Sequence, residues 1–182
     1  MKRILGDKDW LLLLMCGVLL FGCEDKIKPT VLPGIDSQSL PQQESWKSRV
    51  VLSDSGQVKA VIDAGYIRKF DSPKVTLLSE KVTVYFYNEF GSQTSTMTSD
   101  EGRVDEATNN LEAYGHVVVV SDDSTRLRTE KLYWDNRRRL IHTQEFVSIV
   151  SPKEKIQGIG LESDQQLRNY KIFKVSGEAK TE

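Results

Sequence analysis

Apolar and polar side chains alternate along residues 126–150, and the alternation is interrupted at 135–137 by Asp-Asn-Arg. A period of two is typical of a β-strand with one buried face, and Asp and Asn favour tight reversals of the chain. The pattern therefore predicts an antiparallel hairpin. Its apolar face is formed by Leu132, Trp134, Ile141, Thr143, Val147 and Ile149.

The same pattern occurs thirty residues earlier, and a weaker third copy begins at 157–161 and turns at Ser163 and Asp164. Repeats at a fixed spacing indicate stacked supersecondary units, none of which can bury its apolar face alone. The chain is therefore predicted to be a series of similar hairpins. The matched positions are Asp105 with Asp135, Leu111 with Ile141, Val117 with Val147 and Val119 with Ile149.

Strand patterns continue through most of the chain that precedes these repeats. The strongest is 81–90, and 111–120 ends in four consecutive valines, so both faces of that strand are predicted to be covered. A weak helical pattern is confined to residues 42–50. Short strands with turn residues between them, at spacings near ten residues, are typical of an all-β sandwich, jelly roll or open barrel.

The first 22 residues are predicted to be a lipoprotein signal peptide or, alternatively, an uncleaved membrane anchor. Their apolar run at 10–21 is about the length of a signal-peptide core and is short for a membrane span. The run ends in Leu20-Phe21-Gly22-Cys23, which resembles the lipobox of bacterial lipoproteins, where the cysteine is lipidated. Phe21 departs from the small residue usual at that position. Either alternative tethers the chain to a membrane.

Residues 23–45 contain Pro29, Pro33 and Pro41, and they include no aromatic residue. Such segments are extended spacers rather than packed structure, so a linker is predicted here. The folded domain is then predicted to occupy residues 46–182.

Composition and charge argue against several functions. The chain has 25 Lys+Arg against 26 Asp+Glu, so it lacks the basic excess of a nucleic-acid-binding protein. Its cysteines, Cys16 and Cys23, both precede the predicted domain, which leaves no disulfide framework and no thiolate metal site there. His116 and His142 have no cluster of acidic or cysteine ligands around them and are interpreted as structural. No catalytic motif is found, so neither an enzyme nor a cofactor is predicted.

The predicted strands share one aliphatic and aromatic inner face. The simplest interpretation of this face is an ordinary packed core. Alternatively, two sheets that are not closed at one edge form a groove for acyl chains, because small open β-structures can hold apolar ligands. The residues assigned to this face are Val82, Val84, Phe86, Val117, Val119, Leu132, Trp134, Ile141, Val147 and Ile149.

Two stretches resemble a known family. The order Gly115-His116-Val117 followed by 127–135, Leu-Arg-Thr-Glu-Lys-Leu-Tyr-Trp-Asp, is similar to the OstA-type repeat of lipopolysaccharide transport proteins. The closing 156–164, Ile-Gln-Gly-Ile-Gly-Leu-Glu-Ser-Asp, followed by Leu167, Tyr170 and Ile172, resembles the C-terminal signature of the LptC family. The resemblance covers about residues 46–175, which is most of the predicted domain.

This resemblance implies a twisted β-jelly roll of antiparallel strands, open along one edge, at the periplasmic face of the inner membrane. Family members receive lipopolysaccharide from an inner-membrane ABC transporter, hold its lipid A acyl chains in an apolar groove, and pass it to a soluble bridge protein of the same fold. The first strands are then expected to face the transporter. The residues expected to form the edge that meets the bridge protein are Leu167, Tyr170, Ile172 and Val175.

Two other interpretations remain open at this point. In one, the chain is a scaffold lipoprotein whose filled β-core binds only protein partners. In the other, it is the soluble bridge protein itself, which the predicted anchor disfavours. The family is commonly held by an N-terminal transmembrane helix, so the lipobox is a departure that changes the anchor but not the transfer role.

Overall fold

The structure is a computed structural model that describes residues 40–180, with side chains up to residue 177. The predicted anchor at 1–22, Cys23 and most of the predicted linker lie outside the described residues. Residues 40–180 form eleven strands and no helix, and so contain no helix long and apolar enough to cross a membrane. The strands are β1 (Gln43–Asp54), β2 (Gln57–Asp71), β3 (Lys74–Ser79), β4 (Val82–Tyr87), β5 (Gln93–Ser99), β6 (Glu101–Asp105), β7 (Asn110–Ser121), β8 (Arg126–Asp135), β9 (Leu140–Val150), β10 (Glu154–Asp164) and β11 (Tyr170–Lys180).

The helix predicted at 42–50 is wrong, because this segment is the first part of β1. It pairs antiparallel with β2 along its whole length, with Val50 opposite Ile62 and Leu52 opposite Ala60. Pairing with a long neighbouring strand outweighs a weak local periodicity. Within residues 40–180, the first strand begins at Gln43, three residues before the predicted start of the domain.

All strands belong to one antiparallel sheet with the order β11-β10-β9-β8-β7-β5-β4-β2-β3-β6. The sheet also closes on itself, because β6 pairs with β7 as well as with β3. In β2, residues 60–63 pair with β4 and residues 66–71 pair with β3. Among the strands of residues 40–180, β1 pairs only with β2 and β11 only with β10, so each leaves one edge unpaired there.

The long strands bend near their middle. In β8 the buried residues are Leu127 and Thr129 before the bend and Leu132 and Trp134 after it, so the buried face changes from odd to even positions. Such a change of face requires an extra residue in the strand. This feature is a β-bulge, which bends a strand and increases its twist. The register shifts at matching places in three strands, between Tyr114 and Val117 in β7, between Arg128 and Tyr133 in β8, and between Ile159 and Leu161 in β10.

We call this line of bends the spine. It divides the sheet into layer A (residues 48–64, 82–99, 117–128 and 146–159) and layer B (66–79, 101–114, 131–144 and 160–173). The layers face each other, since Phe86 in layer A meets Trp134 in layer B edge to face, with ring centroids 5.1 Å apart. The buried apolar side chains form one core cluster between the layers. The predicted all-β antiparallel jelly roll is thereby confirmed.

The predicted turns of the repeat are confirmed as well. Asp105, Asp135 and Asp164 occupy equivalent positions, and a carboxylate oxygen of each accepts hydrogen bonds from backbone N–H groups two to five residues later. These bonds satisfy donors that a tight reversal leaves without a ladder partner. At the first turn, the hydrogen bond from the Thr108 N–H holds the pKa of Asp105 below its usual value.

His116 lies at the spine in β7, where its backbone has a φ of 45°. Its Nδ1 atom is 2.7 Å from Oδ2 of Asp100, and this hydrogen bond raises the pKa of His116. A raised pKa in the folded state stabilises the domain below the unfolded-state value of about 6.5, and this contribution is lost as the pH rises through the folded-state pKa.

We therefore expect the free energy of unfolding to fall slightly between pH 6 and pH 8, and His116→Gln to remove that part of the slope. Urea titrations across this pH range would measure it. Asp100→Asn should have the same effect as His116→Gln, because either change removes the ion pair. An unaltered pH slope in both variants would show that the pair does not couple to folding.

Candidate functional site

All ten residues predicted to form the inner face lie together in the interior. Each has at most 2% of its surface exposed, and all belong to the single core cluster. Both layers contribute to the set. Layer A supplies Val82, Val84, Phe86, Val117, Val119, Val147 and Ile149, and layer B supplies Leu132, Trp134 and Ile141.

The apolar interior extends from one unpaired edge of the sheet to the other. At the β1 end, Leu52 is buried in the core cluster and Val50 packs against it. At the β11 end, Leu161 is fully buried, and Ile172 packs partly buried against the cluster. An apolar path thus connects the two edges through the middle of the domain.

Side chains fill this interior in the structure. The surface clefts lie elsewhere: one of about 460 Å³ is at the spine, and from the predicted set it includes only Val117. Of the four consecutive valines, Val117 and Val119 are buried, whereas Val118 and Val120 point outward and are half-buried. The expectation that both faces of this strand are covered therefore holds for the inner face only.

In the described part of the chain, two buried polar side-chain atoms have no hydrogen-bond partner, Nε1 of Trp134 and Oγ of Ser95. Trp134 is 2% exposed and Ser95 is 3% exposed. A buried donor without a partner costs about 1–3 kcal/mol, so such groups are rare in native proteins. Sequence reasoning missed Ser95. The sequence signal for its burial was its position two residues before Met97, because alternate residues of a strand lie on the same face.

Three of the four residues predicted for the partner edge lie on one strand. Tyr170, Ile172 and Val175 lie on β11, the strand with an unpaired edge, and Val175 is 58% exposed. Leu167 does not belong to this edge, which corrects the prediction. It lies in the turn before β11 and is 1% exposed, because its side chain packs into the core cluster.

The two histidines have the contacts expected of structural residues. His116 bonds to Asp100, and the ring of His142 stacks on Tyr133 with centroids 5.2 Å apart. Across residues 40–180, no group of three or more His, Cys, Asp or Glu side chains is placed to hold a metal ion.

A single antiparallel sheet folded around an apolar interior, with one strand edge left unpaired at each end, defines an open β-jelly-roll protein. A family model described as lipopolysaccharide-assembly, LptC-related, matches residues 11–178. The chain belongs to the LptC family, and it is therefore a cell-envelope protein of lipopolysaccharide transport. The family is a transport component and not an enzyme family. A search of the curated proteins finds no match to the chain.

Proposed function

We propose that this chain is a membrane-anchored periplasmic component of lipopolysaccharide export. It accepts lipopolysaccharide from an inner-membrane ABC transporter and passes it to a soluble bridge protein of the same fold. The observation that carries the proposal is the apolar interior that connects two unpaired strand edges. Family membership supplies the lipopolysaccharide context.

The interior suits this task because acyl chains are costly to expose to water. Each CH₂ group buried stabilises the complex by about 0.8 kcal/mol, so a lipid with several acyl chains needs a continuous apolar path between membranes. The ten inward residues supply such a path through the interior of the domain. The residues assigned to hold the acyl chains are Val82, Val84, Phe86, Val117, Val119, Leu132, Trp134, Ile141, Val147 and Ile149.

The two edges suit contacts with neighbouring jelly rolls. Unpaired strand edges invite strand addition, and a head-to-tail contact of this type extends an assembly instead of closing it. We assign β1 to the transporter side and β11 to the bridge-protein side. On β11, the half-buried Ile172 and the exposed Val175 would become covered by the partner strand.

The proposed anchor is a lipidated Cys23, or an uncleaved single span at 1–22, at the periplasmic face of the inner membrane. It holds the domain beside the transporter through the linker at 23–45. Mass spectrometry of the protein recovered from the experiment below distinguishes a lipidated Cys23 from an uncleaved N-terminus.

Site-specific photocrosslinking in cells tests lipid carriage. A photoreactive residue placed in turn at Val84, Val119, Trp134 and Ile149 is expected to crosslink to lipopolysaccharide only when the transporter and ATP are present. Lys131 is the control position, because its side chain points outward over the rings of Tyr114 and Tyr133. Stable protein with no crosslink at any of the four inner positions would contradict the proposal.

A second candidate function is a scaffold whose filled core binds only protein. The observation in its favour is that the ten inner residues are buried by one another in the structure. The crosslinking experiment separates the two functions. A scaffold would show protein crosslinks at the β1 and β11 edges and no lipid crosslinks inside.

A further inference from the structure

On the side of the domain opposite the spine, the hairpin turns of layers A and B approach each other. We call the gap between these turns the mouth of the interior. One turn, residues 165–169 between β10 and β11, crosses this mouth, and we call it the plug loop. Nη2 of Arg168 in the plug loop lies 2.9 Å from Oδ2 of Asp122, which follows β7 in layer A. The loop starts from layer B, so this ion pair joins the two layers.

Leu167 makes the plug loop part of the interior. Turns usually lie at the surface with exposed side chains, yet Leu167 is 1% exposed and Gln165, two residues earlier, is 8% exposed. Leu167 belongs to the same core cluster as the inner-face residues. The loop therefore inserts an aliphatic side chain into the space between the layers.

A second contact spans the mouth at the edge of the domain. The hydroxyl of Tyr170, at the start of β11, donates a hydrogen bond of 2.5 Å to Oε1 of Glu154 at the start of β10. Tyr170 is paired with Ser163, nine residues along β10 from Glu154. A straight strand would separate these positions by about 30 Å at 3.3 Å per residue. The contact therefore joins the two bent halves of β10 across the mouth.

The ion pair that ties the plug loop to layer A is weak. Arg168 and Asp122 have side chains that are 54% and 43% exposed, and exposed ion pairs contribute little to stability. Leu167 has a φ of 55°, a conformation that a branched side chain rarely adopts. We expect a loop with these properties to move away from layer A without unfolding of the sheet.

The two unpartnered polar groups lie in the same interior. Ser95 is paired with Phe86 in layer A, and the Phe86 ring packs on Trp134 in layer B, so both groups adjoin one aromatic side chain. The indole N–H can only donate a hydrogen bond, and a serine hydroxyl can donate one. An apolar ligand that carries oxygen acceptors along its chain would satisfy both, whereas a plain hydrocarbon would not.

We propose that the interior behind the plug loop is an acyl-chain site that opens when Leu167 withdraws, with Trp134 and Ser95 donating to hydroxyl, ester or amide oxygens of the chain. This inference rests on the proposed function. It adds where the lipid enters, what competes with the lipid for the site, and which acyl chemistry the site prefers.

A covalent link across the mouth tests whether lipid entry requires the plug loop to move. In the full chain in its membrane, a short bifunctional thiol reagent that contains a reducible disulfide would link Asp122→Cys to Arg168→Cys across the mouth, and a photoreactive residue at Val84 would report lipopolysaccharide. We expect at least a tenfold loss of photocrosslinking in the linked (locked) protein and full recovery after reduction. The matched control is Arg49→Cys with Asp63→Cys, an ion pair of similar exposure that lies within layer A.

The outcomes separate the two proposals. Equal crosslinking in the locked and reduced proteins would overturn the plug loop and leave lipid carriage intact. No crosslinking in the wild-type chain would overturn lipid carriage itself. Loss in both the mouth pair and the control pair would attribute the effect to modification of the cysteines and would also overturn the plug loop.

Conservative variants test the donors. Trp134→Phe keeps an aromatic ring but removes the N–H, and Ser95→Ala removes the hydroxyl. With purified full chain, we expect a 3-hydroxy fatty acid to bind about 3–10-fold more tightly than the unsubstituted acid of equal length, and each variant to reduce that preference. The melting temperature should not fall in Ser95→Ala, which removes only an unpartnered group, whereas Trp134→Phe also leaves a cavity in the core and should lower it. Equal affinities in the wild type, or an undiminished preference in both variants, would overturn this role.

Discussion

Val119→Asp is expected to prevent stable folding of the domain. Val119 is 1% exposed, in the middle of the core cluster. A carboxyl group buried without a partner raises its pKa by about 3–5 units, and keeping it protonated at pH 7, against an ordinary value of about 3.9, costs about 4 kcal/mol. The lost burial of valine adds about 1.5–3 kcal/mol. The sum is comparable to the whole stability of an ordinary domain, about 5–15 kcal/mol.

Urea unfolding followed by circular dichroism measures this effect. Val51→Asp is the matched control, because Val51 is 53% exposed on the edge strand β1 and its replacement leaves the core unchanged. We expect the control to unfold within about 0.5 kcal/mol of the wild type. A folded Val119→Asp protein of nearly normal stability would show that the interior admits water or ligand. The filled-core interpretation would then be wrong.

Gly158→Ala is expected to displace the edge strand β11. A Cβ atom at Gly158 would lie 2.3 Å from the backbone oxygen of Lys174 and 2.5 Å from Cγ2 of Ile172, both on β11. Backbone atoms cannot move aside without shifting the strand, and overpacking of this kind costs about 1–3 kcal/mol. Because β11 is the edge assigned to the bridge protein, we expect crosslinking to that partner to fall more than lipopolysaccharide crosslinking at Val84.

The control for this prediction is Gly177→Ala on β11. A Cβ atom there would meet nothing closer than Oε1 of Gln157 at 3.9 Å, an ordinary contact, so neither stability nor partner crosslinking should change much. Hydrogen exchange of the β11 amides in both variants reports the displacement directly. Equal protection of β11 in Gly158→Ala and Gly177→Ala would refute the steric argument.

The alternation of apolar and polar side chains along the strands predicts most of the candidate site. In β8, Leu132 and Trp134 are buried where the period of two predicts, and in β9 so are Ile141 and Ile149. The reason is local, since successive side chains of a strand point to opposite faces. The turns at Asp105 and equivalent positions are predictable for a similar reason, because the carboxylate bonds to backbone only a few residues away.

The amino-acid sequence by itself therefore determined the fold class, the repeat, the turns and the inner face, because these depend on neighbours along the chain. Only the tertiary structure decided the bends at Gly115 and Gly160, the closure of the sheet through β6, and the strand identity of β1. It also placed Leu167 in the interior and not on the edge. These features depend on pairing and packing between segments far apart in the chain, and such contacts leave no periodic signal in either segment alone.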